Sequence, residues 1–163
     1  PTFLQRDWGF TPQRRAMLVA FSMVGAILGG LTFGHISDKI GRRKAIVIAL
    51  CLAITIIPLW ALSPSLAGLI AGAFAMQFMV QGAWGVIPAH INELSPDNVR
   101  GFLPGFAYQC GVLIASSVVY IEALFAAHTS YAHSMALTAV TVFTIAATIA
   151  WLGRENHGVV FGE

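Results

Sequence analysis

Long charge-free runs set the pattern of this chain. Residues 16–33 (AMLVAFSMVGAILGGLTF) and 45–62 (AIVIALCLAITIIPLWAL) contain no charged side chain. Residues 65–87 contain none either, although Gln77 and Gln81 interrupt their apolar character. Residues 102–127 contain a single ionisable group, Glu122, and residues 135–152 contain none but hold Thr138, Thr141, Thr144 and Thr148. A helix needs about 20 apolar residues to cross a hydrocarbon layer about 30 Å thick. Backbone groups in lipid must be bonded within their own segment, and the alternation of a barrel strand is absent. The pattern therefore predicts an all-α membrane protein of five transmembrane helices.

Composition agrees. Of the 163 residues, 57% are hydrophobic and 10% charged, with a mean hydropathy of +0.77. Soluble domains carry about 25% charged residues, so the composition argues against a soluble fold, and more firmly against intrinsic disorder. A net charge of +2 gives no ground for nucleic-acid binding. Cys51 and Cys110 lie inside apolar runs, as expected of small buried side chains and not of a disulfide framework. No basic stretch precedes an apolar core at the start, so no signal peptide is expected. Thr11-Pro12 predicts a cap and a first-turn proline for the first span. The absent initiator Met and the odd number of spans lead us to expect a portion of a longer protein.

Lysines and arginines orient the bundle. Segments 34–44, 88–101 and 153–163 fall on one side with Lys39, Arg42, Arg43, Lys44, Arg100 and Arg154, against Arg6, Arg14 and Arg15 on the other. The richer side, including the carboxyl terminus, is expected in the cytoplasm.

The densest polar chemistry on that side is Gly34-His35-Ile36-Ser37-Asp38-Lys39-Ile40-Gly41-Arg42-Arg43-Lys44, expected to be a loop of about ten residues between antiparallel neighbours. A second turn, Glu93-Leu94-Ser95-Pro96-Asp97-Asn98-Val99-Arg100-Gly101, sets an acid seven residues before a base, with Pro96 ending the helix. The order of glycine, acid and base in the first segment is more specific than topology alone requires.

These two elements resemble those of the major facilitator superfamily, in which a loop with this glycine, acid and arginine pattern latches the two halves of a transporter on the cytoplasmic side. The resemblance implies a gate formed by Gly34, Asp38, Gly41, Arg42, Arg43, Glu93 and Arg100. It implies that Asp38 lies near Arg100, and Glu93 near Arg42 or Arg43. Exposed ion pairs are worth about 0–1 kcal/mol, which suits a latch that opens in every cycle. The tail Gly153-Arg154-Glu155-Asn156-His157-Gly158 is similar to the G-P-E-x-x-G tail of sugar-porter-like chains, with Arg154 in place of proline. Both cytoplasmic elements recur in each half of such transporters. The order of spans points to helices eight to twelve of a twelve-helix fold, with helices two to six as the alternative.

Polar residues inside spans mark cavities or helix contacts. Gln77 and Gln81 share a helix face, as do Gln109, Ser116 and Tyr120 on the next span. Each set is a candidate cavity lining or a set of interhelical hydrogen bonds worth about 0.6 kcal/mol apiece. The last-span threonines are expected to bond their own backbone. Glu122, roughly 7.5 Å from the outer boundary of its span, is a candidate proton carrier. His90, His128, His133 and His157 form no pair with metal-ligand spacing, and no metal, cofactor or catalytic group is expected. Gly25/Gly29, Gly30/Gly34, Gly68/Gly72 and Gly101/Gly105 are expected to let helices pack closely.

The longest specific run is Gln81-Gly82-Ala83-Trp84-Gly85-Val86-Ile87-Pro88-Ala89-His90, continuing through Glu93-Leu94-Ser95-Pro96 to Ala107-Tyr108-Gln109 and Ile121-Glu122-Ala123. It resembles the sialate:proton symporter group, and especially the Jen-type lactate and pyruvate permeases. Val112 stands where those chains place a second amide three residues after the glutamine. The resemblance implies symport of a small monocarboxylate with protons, in a bacterial inner (cell) membrane, by a protein whose amino-terminal half and seventh helix complete the cavity. A sugar or other organic-solute porter is the alternative within transport, and a non-transporting membrane subunit lies beyond it. An intramembrane enzyme would need a set of reactive groups, and Glu122 stands alone.

Overall fold

The computed structural model describes residues 2–6, 8–126 and 129–158. Seven helices follow in order: α1 (Thr2–Arg6), α2 (Pro12–Ile40), α3 (Arg42–Ala61), α4 (Leu66–Leu94), α5 (Leu103–Ala115), α6 (Val118–Ala126) and α7 (Tyr131–Leu152). No strand occurs among the described residues. Helices α2, α3, α4 and α7, and the α5–α6 pair taken together, are each long and apolar enough to cross a membrane. The described residues thus hold five candidate membrane-spanning segments, those of an integral membrane protein.

Local chemistry sets the helix starts. Thr11 Oγ1 accepts from the Arg14 amide at 3.4 Å, and Pro12 occupies the first turn of α2, as the sequence predicts. Ser65 and Ser130 cap α4 and α7 by accepting from Gly68 N at 3.1 Å and His133 N at 3.3 Å. Ser95 ends α4 in extended backbone, the conformation that Pro96 imposes on its neighbour.

Two boundaries differ from the sequence reading. The segment 34–44 is not a loop of about ten residues: α2 runs on to Ile40, and the chain turns at Gly41 alone. At 29 residues α2 is about 44 Å long, well beyond a hydrocarbon core of about 30 Å. The length therefore leaves room for its polar last turns, 34–40, to be helical beyond a hydrocarbon core. Gly41 holds φ at +93°, a conformation that strains any residue with a Cβ, and this permits the reversal into α3. The second difference lies in 102–127, which is broken into α5 and α6 at Ser116-Ser117. Both hydroxyls donate to carbonyls three residues back, to Leu113 O and Ile114 O at 2.7 Å, and the Ser117 amide also takes Ile114 O. Paired serines that tighten a turn in this way bend a helix.

The core joins α2, α3, α4 and α7 through Phe33, Ala45, Ile46, Ala49, Leu50, Ala83, Val86 and Ala147. Ala45, Ala49 and Ala53 recur every four residues on α3 and are wholly buried, so small side chains bring α3 close to its neighbours. On α2, Gly25 and Gly29 do the same: a Cβ at Gly25 would lie 2.5 Å from Phe74 O, and one at Gly29 would collide with Phe78 O. By contrast Gly34, Gly101 and Gly105 have open space around them: the Gly101/Gly105 pair packs against nothing close among the described residues, and of the Gly30/Gly34 pair only Gly30 approaches α4, where a Cβ on Gly85 would lie 3.3 Å from its Cα. Helix α5 buries none of its residues and meets α4 chiefly through Trp84 and Tyr108, whose rings stand edge to face at 5.7 Å. Helix α6 leans on α7, where Ser134 Oγ donates to Glu122 O at 2.9 Å. Large apolar side chains such as Met17, Ile27, Leu31, Leu113 and Leu152 point outward, as a lipid-facing surface requires. Cys51 is exposed and Cys110 half-buried, which corrects the expected burial of both.

Candidate functional site

Four pieces of the chain converge at one end of the bundle: the last turn of α2, the first turn of α3, the last turns of α4 and the segment after α7. Arg42 is their centre. Its Nε donates to Glu93 Oε1 at 3.1 Å, and its Nη1 donates to Asp38 Oδ1 at 2.5 Å and Ser37 Oγ at 2.6 Å. The Arg42 and Glu93 side chains are only 15% and 9% exposed, so this pair is largely desolvated, whereas Asp38 is open to solvent. Water screens the Asp38 contact far more than the Glu93 contact.

The tail completes the cluster. Glu155 Oε2 accepts from the Arg43 amide at 2.9 Å and Oε1 from the Arg42 amide at 3.3 Å. These are first-turn amides of α3, and Gly41 offers no side chain to cap them. A carboxylate carried in from the far end of the chain thus satisfies a helix N-terminus that favours an anion. Arg43 Nη1 donates to Gly153 O at 2.7 Å, and its guanidinium lies 5.6 Å from the Trp151 ring centroid. Asn156 Nδ2 donates to Glu93 O at 3.4 Å. Segments 34–44, 88–101 and 153–158 therefore share one end of the bundle, as the count of alternating spans requires.

One expected pairing holds and another does not. Glu93 meets Arg42, as the resemblance implies. Asp38 pairs with Arg42 in place of Arg100, and Arg100 pairs with Asp97 while donating to Asn92 O at 3.1 Å and Ser95 O at 2.9 Å. The reason is local geometry: with residues 34–40 helical, Asp38 and Arg42 stand four apart and face each other across Gly41. Arg100 nonetheless borders a cavity of about 320 Å³ with Arg42, Ala89, Asn92 and Glu93.

A larger cavity of about 690 Å³ opens among α1, α2, α4, α6 and α7, with Trp60 of α3 at its wall. Its lining includes Gln77, Glu122 and Ser22 among apolar groups such as Leu69 and Met76. Gln77 and Glu122 come from different sequence candidates, and the structure brings them to one space. Gln81 is half-buried on α4. Gln109, Ser116 and Tyr120 lie on the exposed side of α5 and α6, away from that cavity, and Ser116 spends its hydroxyl on Leu113 O. Thr141 and Thr148 donate to carbonyls four residues back, as expected of membrane threonines. His128 lies outside the described residues.

Sequence reasoning missed two features. Glu155 was visible only as part of a tail motif, and nothing local marks it as a cap for α3. His90 sits with Glu93 and Glu155, a combination of one imidazole and two carboxylates that a search for histidine pairs does not find.

Comparison with known proteins agrees with this geometry. Residues 7–153 match the family described as "Sugar (and other) transporter". The chain is 30% identical over 170 residues to a carboxylic acid transporter protein homolog of Saccharomyces cerevisiae, covering 96% of this chain and 27% of that protein. It is 27% identical to a sialic acid transporter of Escherichia coli, covering 99% of this chain and 40% of that protein. A glucose transporter of Staphylococcus epidermidis is 28% identical across 73% of this chain and 26% of its own length. The chain thus spans between about a quarter and two fifths of these relatives. A family match over most of the chain, five membrane-spanning helices and the charge cluster at one end of the bundle lead to one conclusion: the chain belongs to the sugar (and other) transporter family of the major facilitator superfamily.

Proposed function

We propose that this chain acts as helices eight to twelve of a twelve-helix secondary transporter that moves a small monocarboxylate together with protons by alternating access. The observation that carries the reading is the Asp38–Arg42–Glu93 cluster, with Gly34 in the last turns of α2, Gly41 at the turn, and Arg43 and Arg100 beside it. It ties three spans and the tail at one end of the bundle, where a gate must open and close. The cluster end faces the cytoplasm of a cell membrane, of bacterial inner-membrane type, and the lipid bilayer surrounds the apolar faces. The amino-terminal half and the seventh helix complete the cavity as intramolecular partners.

Substrate class follows from likeness. The yeast relative is named for carboxylic acids, and its match runs nearly the whole length of this chain. Gln109 and Tyr120 are neutral hydrogen-bond donors suited to a carboxylate, and their exposed positions on α5 and α6 are open to the missing half. Ser116 adds a polar group on that exposed side and Gln77 and Gln81 add theirs on α4, while Glu122, which lines the 690 Å³ cavity with Gln77, carries the coupled proton. The glucose transporter match supports a second reading, a sugar porter.

Uptake of labelled lactate, pyruvate, sialate and glucose into proteoliposomes holding the full-length transporter separates the two. Lactate or pyruvate accumulation driven by an inward proton gradient supports the proposal. Preferential glucose uptake, indifferent to the gradient, overturns it in favour of the sugar porter.

A further inference from the structure

The group formed by His90, Glu93 and Glu155 has a chemistry that the gate does not use. His90 and Glu93 stand three apart on the last turns of α4, and each is 8% exposed. His90 Nδ1 and Glu93 Oε2 have no hydrogen-bond partner among the described residues, although both are buried. Buried polar atoms of this kind are costly unless something satisfies them. Glu155 reaches the same place from the segment after α7, and one ligand atom from each of the three residues lies within 4.8 Å of the other two.

We propose that these three side chains bind a divalent transition-metal ion of the Zn²⁺ type, and that the ion fastens the tail to the end of α4. Imidazole nitrogen and carboxylate oxygen are ordinary Zn²⁺ ligands at 2.0–2.2 Å, and three protein ligands leave a fourth position for water. Ligand atoms around such an ion sit about 3.4 Å apart, and these already lie within 4.8 Å of one another, so only a small closure is needed. Glu155 supplies that movement, because it is exposed and sits on the tail while His90 and Glu93 are fixed on α4. Its exposure also gives the ion a route from solvent.

The surroundings orient the ligands. Arg42 Nε holds Glu93 Oε1 at 3.1 Å and leaves Oε2 free to coordinate. The first-turn amides of α3 hold Glu155, and a carboxylate held by such donors keeps lone pairs for a metal. Two carboxylates offset the cationic guanidinium of Arg42, whose other contacts are to Asp38 and Ser37. All three ligands belong to this chain, so the site stands whether the cargo is a carboxylate or a sugar.

The test is a calorimetric titration of chelator-stripped, purified full-length protein with ZnCl₂. The proposal predicts one saturable site, weakened at least tenfold by His90→Gln and at least tenfold by Glu155→Gln. His133→Gln, at the other end of α7, should leave the affinity unchanged. X-ray absorption of the Zn²⁺-loaded wild type should show one imidazole nitrogen with oxygen ligands, a readout that needs no variant to fold. No saturable site, unchanged affinity in either ligand variant, or a coordination shell without imidazole overturns the proposal.

Discussion

Arg42 Nε meets Glu93 Oε1 at 3.1 Å across 51 positions of sequence, and so fastens the first turn of α3 to the last turn of α4. Both side chains are largely out of water, which raises the consequence of breaking the pair. Removing one member of a buried pair leaves an unpaired charge and typically costs about 3–5 kcal/mol. Arg42→Gln should therefore lower the unfolding temperature of the full-length protein, read by thermal scanning, whereas Asp38→Asn should move it little because Asp38 is open to solvent.

The close approach of α2 and α4 depends on the absence of a side chain at Gly29. A Cβ there would fall on the Phe78 carbonyl, so the helices would have to separate. Gly29→Leu should abolish folded protein, as size-exclusion profiles in detergent would show. Gly34→Ala meets nothing and removes a flexible residue from a helix interior, so it should be neutral or stabilising by up to about 1 kcal/mol. If Gly34 also serves the gate, uptake falls in that variant while stability holds.

The Glu155 carboxylate caps α3 from the far end of the chain. Glu155→Ala should cost about 1 kcal/mol, the usual worth of a lost cap. Hydrogen exchange at the Arg42 and Arg43 amides should quicken in that variant, and amides in the middle of α3 should not respond.

Membrane spans were legible because lipid demands long uncharged runs. Their ends were not, because hydropathy marks where lipid stops and not where a helix stops. Residues 34–40 carry His35, Ser37, Asp38 and Lys39 yet are helical, and that helix sets Asp38 against Arg42, whereas the Asp38–Arg100 pair was what the family resemblance implied. The break at Ser116-Ser117 was hidden by the apolar residues on either side. Glu93 with Arg42 was legible through the family pattern. The role of Glu155 was not, because a cap supplied from 112 residues away leaves no local signal.

Glu122 lines the larger cavity with Gln77. Glu122→Gln copies the protonated side chain and cannot release a proton. If Glu122 carries the coupled proton, this variant loses uphill accumulation in proteoliposomes but keeps exchange of labelled for unlabelled substrate. Loss of both activities, or of neither, contradicts that role.

Gln109 is exposed on α5, a helix that buries none of its residues. Gln109→Ala should leave the unfolding temperature within a degree or so of wild type. On the proposed reading that Gln109 donates to a carboxylate substrate, it should raise KM for that substrate about tenfold, as expected when one hydrogen bond to a charged group is lost.

The most direct measurement is a charge-exchange cycle at Arg42 and Glu93, with uptake and unfolding temperature read together in the full-length protein. Arg42→Glu and Glu93→Arg should each reduce uptake by tenfold or more and lower stability. The double exchange should recover a substantial part of both. A double variant no better than either single one, or single variants that transport normally, would contradict a gate built on this pair.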